Sequence, residues 1–223
     1  MDRSATRMRK VLALALALLA SPALAQGYPE EPRRLELTPF VGLFWSTSIS
    51  TSQGTITTNA AADFGGTVDL ALGPTSQLEL LYAFAGTQSR FVSQFVATPS
   101  SGWFDVKYQY FQLGGTTTFP RGDLEPFVTG SVGAVWVAPS DPLLADGRTV
   151  DLADTWLFAF SVGGGLKWFL SRALGLRVQA RVFLPILLES GAFYSGPGGS
   201  AFAVSAGIPL VQGDLSVGLV VAP

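Results

Sequence analysis

The sequence predicts an all-β fold, an eight-stranded antiparallel up-and-down barrel that crosses a membrane with its strands. Three observations carry that expectation. Of the 223 residues, 48% are hydrophobic and only 13% charged, against ~25% charged in ordinary soluble domains. The apolar residues recur at every second position, so beyond the N-terminus no run reaches the ~18–20 residues of a spanning helix. The connections between alternating segments are short and long by turns, as in transmembrane barrels with tight turns at one mouth and long loops at the other.

The first 25 residues read as a cleaved leader. Arg3, Arg7, Arg9 and Lys10 give a basic start, Val11 to Ala20 is an apolar stretch, and Ala23-Leu24-Ala25 supplies a small-x-small cleavage pattern. Removing the leader's four basic residues and one acid leaves ten Lys and Arg against fifteen Asp and Glu, formally minus five. Such a balance gives no electrostatic footing for nucleic acid. Residues 26–34, Gln26 to Arg34, are polar and proline-containing and read as a periplasmic tail. The barrel domain is expected over 35–223.

Alternation begins at Leu35. Leu35, Leu37, Val41, Leu43 and Trp45 share one phase through Ser46, with Glu36, Thr38 and Phe40 on the other. Asp63 to Leu72 sets Phe64, Val68 and Leu70 against Asp63, Thr67 and Asp69, and Gln77 to Phe84 sets Leu78, Leu80 and Tyr82 against Gln77 and Glu79. Leu124 to Val137, Trp156 to Leu170, Leu174 to Ile186 and Asp214 to Val221 repeat the pattern. One face is dry in every segment. Trp103 to Phe119 is less regular: Phe104, Val106, Tyr108 and Tyr110 hold one phase and Phe111, Leu113 and Phe119 the other, which predicts either a bulge near Tyr110 or a crossing from a solvent-exposed to a membrane-embedded stretch of strand.

Residues 73–76, 120–123 and 171–173 are tight turns rich in Gly, Pro, Ser and Asp. The polar stretches 47–62, 87–102, 138–154 and 188–212 are the long loops. Four long loops and three turns make eight strands. Ala201 to Ile208 also alternates and is placed as an extension of the last hairpin. Trp45, Trp103, Trp136 and Trp156 fall at long-loop ends and Trp168 at a short-turn end, which predicts an interface girdle of indole rings.

With the dry face toward lipid, the other face carries Glu36, Asp69, Glu79, Glu125, Lys167, Arg177, Arg181 and Asp214 into the lumen. Eight strands leave an interior just wide enough for side chains to fill, so these charges are expected to pair and plug it. A gate or proton path is the competing role for them.

The chain has no His and no Cys. That excludes His-dependent acid-base and nucleophilic catalysis, disulfides and thiol chemistry. Glu79 with Asp69 is the one formal paired-carboxylate arrangement, for which neutralisation by Arg177 or Lys167 is the commoner outcome. Gly163-Gly164-Gly165 lacks the strand-turn-helix setting of a nucleotide fingerprint, and Arg121-Gly122-Asp123 lies in a short turn, where turn chemistry explains it. No catalytic residue, metal site or cofactor is expected.

An Ala-x-Ala leader, eight alternating segments, Ser161-Val162-Gly163-Gly164-Gly165 and the closing Gln212-Gly213-Asp214-Leu215-Ser216-Val217-Gly218-Leu219 resemble the small eight-stranded outer-membrane β-barrels of the OmpA-type, OmpX and OmpW group. The resemblance implies a bacterial, Gram-negative outer-membrane location. Two departures stand out: such barrels usually end in an aromatic residue, whereas this chain ends Val221-Ala222-Pro223, and no peptidoglycan-binding domain is expected after the last strand. The expected partners are outer-membrane lipid and a ligand at the long loops, with 191–200, including Phe193 and Tyr194, as the contact patch. The expected state is a monomer. Three functions compete: a non-enzymatic envelope scaffold or surface-interaction protein with a plugged lumen, an OmpW-like narrow channel for small or hydrophobic molecules, and a secreted lipocalin-like barrel binding an apolar ligand. The last would place Phe40, Phe44, Leu81, Phe127 and Phe183 in water.

Overall fold

The computed structural model describes residues 34–50, 54–93, 103–141, 153–186 and 210–223. All belong to the second of the chain's two compact units, Glu31–Pro223. The leader 1–25, tail residues 26–33, the contact patch 191–200 with Phe193 and Tyr194, and the alternating stretch 201–208 lie outside the described residues.

Ten strands are present: β1 (Leu35–Ser46), β2 (Ile49–Ser50), β3 (Gly54–Thr58), β4 (Ala61–Ala71), β5 (Ser76–Ser93), β6 (Phe104–Thr118), β7 (Leu124–Pro139), β8 (Thr155–Phe169), β9 (Leu174–Ile186) and β10 (Gln212–Val221). Eight of them, β1 and β4 to β10, form an antiparallel ring. It closes where β10 pairs with β1, from Leu37 opposite Val221 to Ser46 opposite Gln212. Closure leaves no open edge among the eight, the condition for placing strands in a bilayer.

The registers fix the stagger of the ring. Stepping through directly opposed residues from Glu36 leads to Asp69, Glu79, Gly114, Ser131, Ser161, Phe183 and Gln212 and returns to β1 at Ser46, ten residues beyond the start. A stagger of this kind accompanies strands tilted by about 35–45°. On β9 the outward residues from Leu174 to Val182 are exposed. With the partly covered Leu184 they span ten rises, about 25 Å along the barrel axis at that tilt, the height of a membrane barrel's apolar band.

Outward positions in the middle of the strands are apolar: Val178 is 47% exposed and Leu215 51%, while their lumen-facing neighbours Arg177 and Ser216 are buried. The short turns sit together at one mouth. At one of them Arg121 and Leu124 bridge, with Gly122 at φ 66°, which a side chain would oppose.

Two expectations are corrected. β6 has no bulge: its pairings with β5 and β7 run without interruption past Tyr110. Val106, Tyr108 and Tyr110 point inward, while Phe111 and Leu113 point outward. At the long-loop end the inward Val106 and Tyr108 are apolar while the outward Asp105 and Lys107 are exposed and charged, and past Tyr110 the outward Phe111 and Leu113 are apolar while the inward Gln112 and Thr116 are polar, so the strand passes from a water-facing to a lipid-facing segment, the other arrangement its two phases had suggested. The second correction concerns the first long loop. Within 47–62, β2 and β3 form a hairpin, and β3 pairs from Gly54 opposite Ser93 to Thr58 opposite Ser89 on an extended β5. Strand β5 thus runs well past Phe84, where alternation had suggested it ended, because its polar stretch pairs with the Thr-rich β3, which carries strand structure without a hydrophobic period.

Candidate functional site: a charged plug across the lumen

The lumen has two zones. Toward the long-loop mouth, Phe44, Val106, Tyr108, Tyr110, Val135, Val137, Ala159 and Phe183 pack into one cluster. Tyr110 stacks on Phe183 at 4.2 Å between ring centroids, and its hydroxyl donates to Gln212 Oε1. Phe40, Phe44, Leu81, Phe127 and Phe183 are all buried. An apolar exterior around a partly charged interior is the reverse of a soluble ligand-binding barrel.

Toward the short turns the interior is charged, and its order follows from the register. Glu36, Asp69 and Glu79 are directly opposed on β1, β4 and β5, three carboxylates side by side on one wall. Like charges so placed repel and are tolerable only if cations face them. Lys167 on β8 and Arg177 and Arg181 on β9 supply those cations from the opposite wall.

Lys167 Nζ lies 2.5 Å from Glu36 Oε2 and donates to Gln77 Oε1 at 2.8 Å, while Gln77 Nε2 donates to Glu36 Oε1 at 2.9 Å. Arg177 bridges two acids, with Nη1 2.9 Å from Asp69 Oδ2 and Nη2 2.7 Å from Glu79 Oε2. Gln179 accepts from its Nε, and the guanidinium lies 4.3 Å from the centre of the Phe127 ring. Arg181 Nη2 reaches Glu79 Oε1 at 2.6 Å, and its Nη1 donates to Ser131 and Ser161. Thr129 and Thr116 also donate to Glu79, so both its oxygens have several donors. Glu79, Lys167 and Arg181 are at most 1% exposed.

Of the eight residues expected in the lumen, six form these ion pairs. Glu125 lies half-buried near a short turn, opposite Lys167 in register. Asp214 is buried and belongs to none of the ion pairs among the described residues; its Oδ2 accepts from Ser216 at 3.0 Å. Alternation had put Asp63, Thr67, Gln77 and Gln179 in the inward phase without counting them in the plug, and had not singled out Gln112, Thr116, Thr129, Ser131 or Ser161. Thr129 and Ser131 share the inward phase of Glu125 and Ser161 that of Lys167, the signal that could have found them, whereas Gln112 and Thr116 share the phase of Tyr110.

The tryptophans sit at segment ends. Trp45, Trp103 and Trp156 are exposed near the long-loop mouth and Trp168 near the short turns. Trp136 is half-covered, opposed to Trp156 and stacked on it at 6.3 Å.

Fold and lumen together define the class: a small eight-stranded transmembrane β-barrel of the outer-membrane type. Among solved structures, the chain is similar to Neisserial surface protein A, at 10% identity and a TM-score of 0.54, covering 85% of this chain and 97% of that one. It is also similar to the outer membrane protein OprG from Pseudomonas aeruginosa, at 14% identity and a TM-score of 0.47, covering 83% and 94%. At these identities the likeness extends to the fold alone. No protein-family model matches the chain, and no curated protein matches it in sequence.

Proposed function

We propose that the protein is a non-enzymatic outer-membrane barrel with a closed lumen, serving as an envelope scaffold that presents its long-loop mouth outside the cell, with Met1–Ala25 as its export leader. The observation that carries this reading is the Arg177 and Arg181 bridge to Glu79 across the barrel. A conducting pore needs a continuous wet path, whereas here ion pairs fill one half of the interior and an aromatic cluster the other. Lipid is the partner of the apolar exterior, and the chain acts as a monomer.

A narrow passage for small apolar molecules is the second reading. What favours it is the apolar lining formed by Phe44, Tyr108, Tyr110 and Phe183. Planar-bilayer recording separates the two. The scaffold reading expects no stepwise conductance from purified protein, and ion-permeable steps would overturn it. Uptake of a hydrophobic solute into liposomes without ion conductance would favour the second reading.

A further inference from the structure

The buried charges of the lumen do not balance. Among the described residues, Glu36, Asp63, Asp69, Glu79 and Asp214 are buried carboxylates, and the buried bases are Lys167, Arg177 and Arg181. The described ion pairs engage all three bases, and none includes Asp63 or Asp214. Arg181 is directly opposite Asp214 in the β9–β10 register, yet its Nη atoms are given to Glu79, Ser131 and Ser161.

These two aspartates come together. Asp63 on β4 is opposed to Gly42 on β1, and Asp214 on β10 is opposed to Phe44, two residues further along β1. Asp63 is 4% exposed and Asp214 1%, and among the described residues Oδ1 of each has no hydrogen-bond donor, the two carboxyls themselves lying within hydrogen-bonding reach of each other. Both orphan oxygens point at the same place, 2.6 Å (Asp63) and 2.7 Å (Asp214) from where a Cβ on Gly42 would stand. They are therefore no further apart than the sum of those distances, 5.3 Å. The Leu215 carbonyl oxygen is 2.8 Å from that point. A side chain at position 42 would collide with both carboxyl oxygens, so glycine lets them converge against β1.

Two buried carboxylates without a cation repel each other and have lost their hydration. We propose that Asp63 and Asp214 hold one hard divalent cation of the calcium class in the lumen, beside Gly42. The donors are oxygen only, which selects hard cations over thiolate- or imidazole-seeking metals. Calcium bonds oxygen at about 2.3–2.6 Å, so one ion can bridge both Oδ1 atoms. Two carboxylates supply the charge that a divalent ion neutralises. Ser216 holds Oδ2 of Asp214, leaving Oδ1 toward the site.

The test uses the full mature chain refolded into detergent micelles free of lipopolysaccharide, so that no lipid phosphate competes for the ion. Equilibrium dialysis with radioactive calcium should give one ion per wild-type chain and none for Asp63→Asn/Asp214→Asn. Calcium should raise the heat-unfolding temperature of the wild type by several degrees and leave the variant unmoved. The single Asp214→Asn variant is read the same way if the double variant does not fold. No uptake by wild type, or uptake unchanged by the substitutions, overturns the proposal. Stabilisation by mild acid with no response to calcium also overturns it, because the pair then shares a proton instead.

Discussion

Arg181 Nη2 lies 2.6 Å from Glu79 Oε1, joining β9 to β5 across the barrel interior although the residues are 102 apart in sequence. Arg177 takes the other oxygen of the same carboxylate. Glu79 is thus the shared anion of two guanidinium groups, and its loss leaves both buried cations short of a partner.

Truncating one member of a buried pair costs about 3–5 kcal/mol, whereas replacing both by apolar groups is often neutral. Glu79→Ala is expected to lower barrel stability more than Arg181→Ala, because it strands Arg181 and leaves Arg177 with Asp69 alone, whereas Arg181→Ala leaves Glu79 with Arg177. Urea unfolding of folded protein in detergent measures both. Equal stability of Arg181→Ala and wild type would remove the energetic role assigned to the crossing pair.

Lys167 and Glu36 form a separate pair on β8 and β1, with Gln77 bonded to both. Lys167→Met is expected to cost about 3 kcal/mol by leaving Glu36 buried beside Gln77 alone. Adding Glu36→Leu should recover most of that loss. A double variant less stable than Lys167→Met, followed by tryptophan fluorescence during unfolding, would show that the site depends on something other than charge pairing.

Val178 sits on the apolar outer face of β9, between the inward Arg177 and Gln179. A lysine near the middle of a lipid-facing band costs about 2–4 kcal/mol. Val178→Lys should therefore reduce folding into lipid vesicles by that amount. An unaffected Val178→Lys variant would mean that this face does not meet hydrocarbon.

Trp136 and Trp156 are directly opposed on β7 and β8 with rings 20° from parallel. Such aromatic pairs add about 0.5–1.5 kcal/mol beyond their buried area. Trp156→Ala should lower stability by about that much and Trp156→Phe by less, both read in urea titrations. Equal losses from the two substitutions would point to ring size rather than stacking.

The barrel was legible because a strand with one face in lipid and one in a packed polar interior has to alternate, and Leu174 to Ile186 does so almost without exception. The charged plug was legible for the same reason: Glu36, Asp69, Glu79, Lys167, Arg177 and Arg181 all fall in the inward phase. Their pairing was not, because partners such as Glu36 and Lys167 are set by the stagger of the closed ring, which local sequence does not encode. On β6 the change of apolar phase at Tyr110 was legible but not its cause, because an apolar lumen beneath a water-facing exterior gives the same pattern as a bulge until the pairing is known. The β2–β3 hairpin escaped notice because its threonines carry no hydrophobic period. Asp63 lay in the right phase, but its convergence with Asp214 depends on β1 standing between β4 and β10.

The most direct test of the inside-out arrangement uses the chain's lack of cysteine, which permits single cysteines to be introduced and spin-labelled along β6 in lipid bilayers. Labels at Phe111 and Leu113 should collide with lipid-dissolved oxygen, and labels at Tyr110 and Gln112 should be shielded from it. The reverse pattern, with Tyr110 and Gln112 meeting oxygen and Phe111 and Leu113 shielded, would contradict a barrel with its apolar face to lipid and its ion pairs in the lumen.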